Sequence, residues 1–209
     1  MARIQQGEFE KALSQSLPES FYLPKELWQL IQWLEDRNQT FRFRKSKNIF
    51  LPTMPVQSID HLWSSLYFTV NTYDANSWFG KEGFYEIIIP IVRCGGDGSF
   101  FAVWKDGQRY LFVFMGSEGE CFTVTDSIRD FLFLITMGYN DILGEKDLFL
   151  TPQENNAIYS SGDWREPLEV KSFVRSIFDF DYPINGASIL KKFDEDPFVR
   201  FVDEMIFSD

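Results

Sequence analysis

The residues best suited to chemistry in this chain are few and scattered. The run Gly95-Gly96-Asp97-Gly98-Ser99 could cradle an anion with backbone donors. It lacks the Lys-Ser/Thr ending of a phosphate-binding loop, and a strand pattern rather than a helix pattern follows it. A structural turn with left-handed glycines fits better, with Asp97 bonded to nearby backbone groups. Glu118, Glu120 and Asp126 are candidate acid–base or metal-ligating carboxylates. The spacing lacks the dense run of oxygen ligands that calcium needs, and a glycosidase needs two carboxylates facing one cleft.

His61 is the single histidine, so a site needing two is excluded, and a Ser-His-Asp triad would have to use it. Cys94 and Cys121 are the two cysteines. That is too few for a zinc cluster of the Cys₄ or Cys₂His₂ type or for a secreted disulfide framework. Packing is the default role for both. No metal, cofactor or catalytic set is therefore expected.

Charge is the stronger signal. The net charge of −11 is unevenly placed. Residues 1–117 carry twelve acids and twelve Lys/Arg, whereas 118–209 carry nineteen acids and eight Lys/Arg. The whole negative excess thus lies in the second part. Such a field repels phosphate backbones and anionic lipid surfaces. It speeds encounter with basic partners, and it also serves solubility. Direct nucleic-acid or membrane binding is not expected. One basic stretch stands apart: Arg37, Arg42, Arg44, Lys45 and Lys47, interleaved with Phe41 and Phe43. Basic and aromatic residues so mixed can hold single-stranded nucleic acid, but in this acidic chain a solvated loop is the simpler reading. Aromatic residues make up 18% of the chain, enough to supply both a core and an interface.

The elements that must position these residues follow from periodicity. A short helix is expected over 8–16 and a second from Pro24 to about Asn38, with Leu27, Leu30, Ile31 and Leu34 on one face. Residues 48–57, with two prolines, read as a loop. Ser58 could cap a helix over 59–73, where Leu62, Leu66 and Val70 repeat at four-residue spacing. The centre then changes period. Strands are expected at 86–92, 100–105, 109–115 and 120–125, joined by short glycine turns as an antiparallel meander. Ser127 and Asp130 have capping-box spacing ahead of the stripe Ile128, Phe131, Leu132, Ile135. Residues 140–167 look irregular. Further helices are expected around Val170–Ile177 and after Asp196-Pro197. The order argues an α+β fold with helices covering one face of an antiparallel sheet. No apolar run reaches the roughly 18 residues of a membrane span, and no secretory signal is visible at the N-terminus, so a cytoplasmic protein is expected.

Three stretches carry a resemblance. LPKELWQLIQWLEDRN (23–38) resembles the first helix of the SUKH superfamily. IPIVRCGGDGSFFAVWKDG (89–107) is similar to its glycine-rich hairpin. FVFMGSEGECFTVTDSIRDFLFLITMGY (112–139) is similar to its next strands and helix. That group includes fungal glucan-synthesis regulators, the bacterial Syd protein and many bacterial immunity proteins. The resemblance implies one domain over 1–209, with a core at about 20–140 and a helical C-terminal extension at about 141–209. It implies a non-enzymatic protein-binding domain, most simply an immunity protein that neutralises a cognate bacterial toxin such as a nuclease. The alternative is a scaffold or regulatory module of the glucan-synthesis-regulator or Syd type. Toxins acting on nucleic acid must be basic, so the expected contacts lie in the acidic part: Glu118, Glu120, Asp163, Trp164, Glu166 and Glu169.

Overall fold

The computed structural model describes residues 2–3, 7–37, 40–42, 49–54, 64–160 and 162–207. Its frame is one antiparallel sheet in strict sequence order: β1 (Ala2–Arg3), β2 (Phe41–Arg42), β3 (Phe50–Pro52), β4 (Tyr67–Thr69), β5 (Ile88–Arg93), β6 (Phe100–Asp106), β7 (Arg109–Met115) and β8 (Cys121–Thr125). The four expected strands, β5–β8, are its longest members and end at the β8 edge. The meander continues beyond them, because β3 and β4 lie where a loop and a helix were expected. The helix expected over 59–73 is therefore overturned at its described end, where Tyr67–Thr69 is a strand; Ser58 and His61 fall outside the described residues. The cause is geometric. A four-residue spacing marks one face of a helix and equally one face of a strand, whose side chains alternate with period two. Leu66 and Phe68 are both buried on the same core, and Val70 packs against it.

The helices are α1 (Glu8–Ser16), α2 (Lys25–Glu35), α3 (Asp74–Phe79), α4 (Ile128–Thr136), α5 (Pro152–Tyr159), α6 (Leu168–Phe178) and α7 (Pro197–Phe207). α1, α2, α4 and α6 lie over one sheet face. Their apolar stripes, including Phe9, Leu30, Phe131 and Val174, meet Ile89, Phe101, Val103, Phe112 and Phe114 in one core. Phe112 stacks on Phe131 at 4.2 Å between ring centres.

The opposite sheet face is covered as well, which corrects the one-sided expectation. β6 and β7 read almost continuously apolar, as strands buried on both faces do. Phe100, Ala102 and Trp104, with Leu111, Val113 and Met115, point to a second core closed by α3 and α7. Trp104 lies 5.1 Å from Phe198 and 5.0 Å from Phe201 of α7. The Trp78 indole N–H of α3 donates to the Gly116 carbonyl at 2.8 Å.

Residues 140–167 are more ordered than expected. Thr151 and Glu154 form a reciprocal capping box that starts α5 behind Pro152. The inner face of α5 is polar: buried Asn155 accepts from the Asn140 N–H at 2.9 Å and donates to the Asp141 carbonyl at 2.7 Å. No apolar period announces such a helix. The C-terminal extension belongs to the same body as the rest, since Val170, Val174 and Ile189 sit in the first core with Phe9 and Leu13. Among the described residues no helix is long and apolar enough to cross a membrane.

Candidate binding surface

The glycine turn is built as a turn, with its donors committed. Asp97 Oδ1 accepts from the Ser99 N–H at 2.9 Å, and its Oδ2 accepts from the Ser99 and Ser117 hydroxyls at 2.8 and 2.7 Å. Gly98 donates to the Gly95 carbonyl at 3.2 Å and adopts φ +108°, a value that favours glycine. Gly96 donates to Asp141 Oδ1 at 2.9 Å. Protein carboxylates thus occupy the positions an anion would take. Burial pushes the Asp97 carboxyl up, but the Ser99 and Ser117 donors outweigh it and hold the group below the usual carboxylate range. The function of Asp97 here is to tie the β5–β6 turn to the β7–β8 turn.

Beside this turn a cleft of about 310 Å³ is lined by Ser65, Tyr67, Thr69, Asn71 and Arg93. Its arginine is already neutralised by Asp74 at 2.5 Å and also donates to the Gly98 carbonyl. Burial raises the Asp74 carboxyl, with Arg93 pulling the other way. Among the described residues no group of three or more His, Cys, Asp or Glu is arranged to hold a metal ion.

The two cysteines are free, and they face opposite cores: Cys94 belongs to the first and Cys121 packs against the second. Burial raises both thiols, Cys121 to about 11 with help from the nearby Asp196, Asp203 and Glu120 carboxylates. Their neutral thiols pack as small apolar groups.

The expected contact residues fall into two groups. Glu118 and Glu120 are exposed on the β7–β8 turn, where Glu120 accepts from the Glu145 N–H at 3.4 Å. Asp163, Trp164 and Glu166 lie on the segment entering α6, and Glu169 lies in its first turn. Glu166 pairs with Lys171, and Glu169 lies 4.0 Å from Arg37 of the α2 end. Trp164 is half-buried, and its indole N–H donates to the Gly138 carbonyl at 3.0 Å. Gly138 has φ +108°, and a Cβ there would lie 3.3 Å from the indole nitrogen. Trp164 is therefore a strut between the end of α4 and the start of α6. The exposed pairs are solvated and contribute little to stability, roughly 0–1 kcal/mol each.

Large exposed apolar side chains were not foreseen, and they concentrate in the acidic part. Among the described residues Phe149, Ile158, Leu168, Phe180, Ile184 and Ile206 are exposed there, against Tyr22 and Tyr73 in the first part. Most of the carboxylates after residue 117 are exposed on the same stretch of chain. Leu168 was legible as a residue off the Val170–Ile177 stripe. Phe149 ends a single 3-10 turn, Glu145–Phe149, and Ile184 sits in an irregular segment; both are too short for periodicity to give an inside or outside. A second candidate surface is the groove between α2 and α6, of about 570 Å³, walled by Trp33, Phe173 and Ile177. Trp33 stacks on Phe173 at 4.8 Å, and the Arg37 guanidinium lies 3.5 Å over the Trp33 ring, so the indole is already engaged by two neighbours. No family model, curated protein or solved structure matches this chain.

Proposed function

We propose that this chain is a non-enzymatic protein-binding domain that neutralises a basic bacterial toxin domain, such as a nuclease, by covering its working face. One observation carries the reading: among the described residues, the part of the chain with the entire negative excess also exposes six of the eight large apolar side chains at the surface. Interfaces combine apolar anchors at their centre with a polar rim. Opposite charge on the partner guides encounter and excludes wrong partners. The committed donors of the glycine turn and the neutralised arginine of the cleft favour binding over chemistry. The resemblance to immunity proteins points the same way, and the protein would then act in the cytoplasm beside its toxin.

The test is capture of partners from the native host by the full chain at low and high salt, followed by titration of the purified partner's own activity. The expected result is one dominant basic partner, released by salt and inhibited at one-to-one stoichiometry. Capture of a resident housekeeping complex, with no activity lost, would instead establish a scaffold or regulatory module.

A further inference from the structure

Beneath two of the exposed apolar residues lies an unusual mount. Tyr139 is fully buried at the end of α4. Its hydroxyl donates to the Leu150 carbonyl at 2.7 Å and accepts from the Gly186 N–H at 2.7 Å. A second link runs between the same segments, from Asn185 Nδ2 to the Phe149 carbonyl at 3.1 Å. Two stretches far apart in sequence are thereby clamped side by side. Asn185 Oδ1 also accepts from the Ser188 N–H at 3.3 Å, fixing the turn that follows. From this clamped pair Phe149 and Ile184 face solvent, 62% and 79% exposed.

A flexible loop would allow such side chains to fold back onto the core. Backbone locked by a buried phenol does not. Apolar groups held rigidly outward lose little conformational freedom on binding, which is what an interface anchor needs. The surrounding charge selects the partner. Stretches 145–154 and 179–186 expose Glu145, Glu154, Asp179 and Asp181 against Lys146 alone. A second copy would bring the same negative field against itself, whereas a basic protein would complement it.

We infer that Phe149 and Ile184 form the central anchor of the docking surface, and that its occupant is a basic protein with an apolar pocket rather than a second copy of this chain. This rests on the protein-binding reading above and locates its site, with Glu120 of the β7–β8 turn bonded to the start of the same stretch at the Glu145 N–H.

The test uses the full chain and its F149S/I184S double variant. Both positions are exposed, so the melting temperature of the variant should match wild type and report that folding is intact. The probe is the basic protein captured at low salt by wild type, purified and titrated back onto both forms. Sedimentation equilibrium of each form alone reports self-association. The expected result is a monomer in both cases and a loss of affinity of at least tenfold in the variant. Wild-type affinity in the variant would overturn the site while leaving protein binding in place. A wild-type dimer that the variant loses would make the occupant a second copy. Absence of any basic partner would overturn both the site and the reading beneath it.

Discussion

Asp196 joins the C-terminal helix to the free edge of the sheet, and its removal should be costly. Its Oδ2 accepts from the Thr123 N–H at 2.8 Å, while Oδ1 accepts from the Thr123 hydroxyl at 2.7 Å. Oδ1 also accepts from the Phe198 and Val199 N–H groups at 2.8 and 3.2 Å, in the first turn of α7. One carboxylate thus caps a helix behind Pro197 and satisfies a donor on the outer edge of β8. The neighbouring Lys191 N–H donates to the Val124 carbonyl at 2.9 Å, so this segment shields an edge that would otherwise invite another strand. In Asp196→Ala the lost cap costs about 1 kcal/mol, and the stranded, part-buried Thr123 donor costs roughly 1–3 kcal/mol. At about 2–4 °C per kcal/mol for a chain of this size, the melting temperature should fall by about 5–15 °C. Trp104, 4% exposed beneath α7, supplies a fluorescence signal for loosening of this helix. Asp196→Asn keeps an oxygen for the cap and the Thr123 hydroxyl but sets an amide against the Thr123 N–H, so it should lose about half as much. An alanine variant that melts within ~1 °C of wild type would refute the role given to this residue.

Other perturbations probe different joints. Phe198→Ala removes a fully buried ring from the second core and should cost about 3–5 kcal/mol in denaturant unfolding; a loss under ~1 kcal/mol would mean that α7 does not seal that face. Tyr139→Phe leaves the Gly186 donor and Leu150 acceptor without their shared hydroxyl and should cost about 1–3 kcal/mol, with faster amide exchange at Gly186; unchanged exchange would contradict the clamp. Glu35 is buried, yet it accepts from the Phe9 and Glu10 N–H groups at 2.8 and 3.1 Å and from the Thr40 hydroxyl at 3.4 Å. Burial raises its carboxyl above the ordinary 4.5, against the pull of those donors. The folded state therefore binds the proton more tightly than the unfolded chain, and stability falls as pH rises from about 4.5 through the folded value. Melting curves of wild type and E35Q across that window should show the advantage of wild type shrinking with rising pH; a gap that is constant or widens would contradict the assignment. Charge reversal at Asp163, Glu166 and Glu169 should slow association with the basic partner at low salt and leave association at high salt nearly unchanged, read by stopped-flow mixing; unchanged low-salt kinetics would remove these residues from the encounter surface.

Much of the frame is written locally in the chain. The apolar runs in Phe100–Lys105 and Arg109–Met115, with Asp106-Gly107 between them, lead directly to the longest hairpin. The stripe Leu27–Leu30–Ile31–Leu34 leads to α2, and Ser127, whose side chain accepts from the Asp130 N–H at 3.3 Å, marks the start of α4 as expected. What escaped follows from ambiguous or silent signals. Leu66 and Val70 fit a helix face and a strand face equally. The inward positions of α5 are asparagines, which bury through hydrogen bonds rather than through apolar area, although the Thr151–Glu154 box was present in the sequence. α3 has only six residues, less than two turns, too short to establish a period. The acidic character of the proposed binding surface was legible, because the imbalance is a property of composition. Its proposed anchors were not legible. Trp164 looked like a rim aromatic until Gly138 gave its indole a partner, while Phe149 and Ile184 are set outward by Tyr139, a contact no local pattern encodes.

The most direct test of the account is titration of the purified basic partner's activity with the full chain at low salt. Complete loss of that activity at one equivalent, restored by high salt, is the predicted result. A partner that binds tightly and stays fully active, or a chain that captures no basic partner at all, would contradict it.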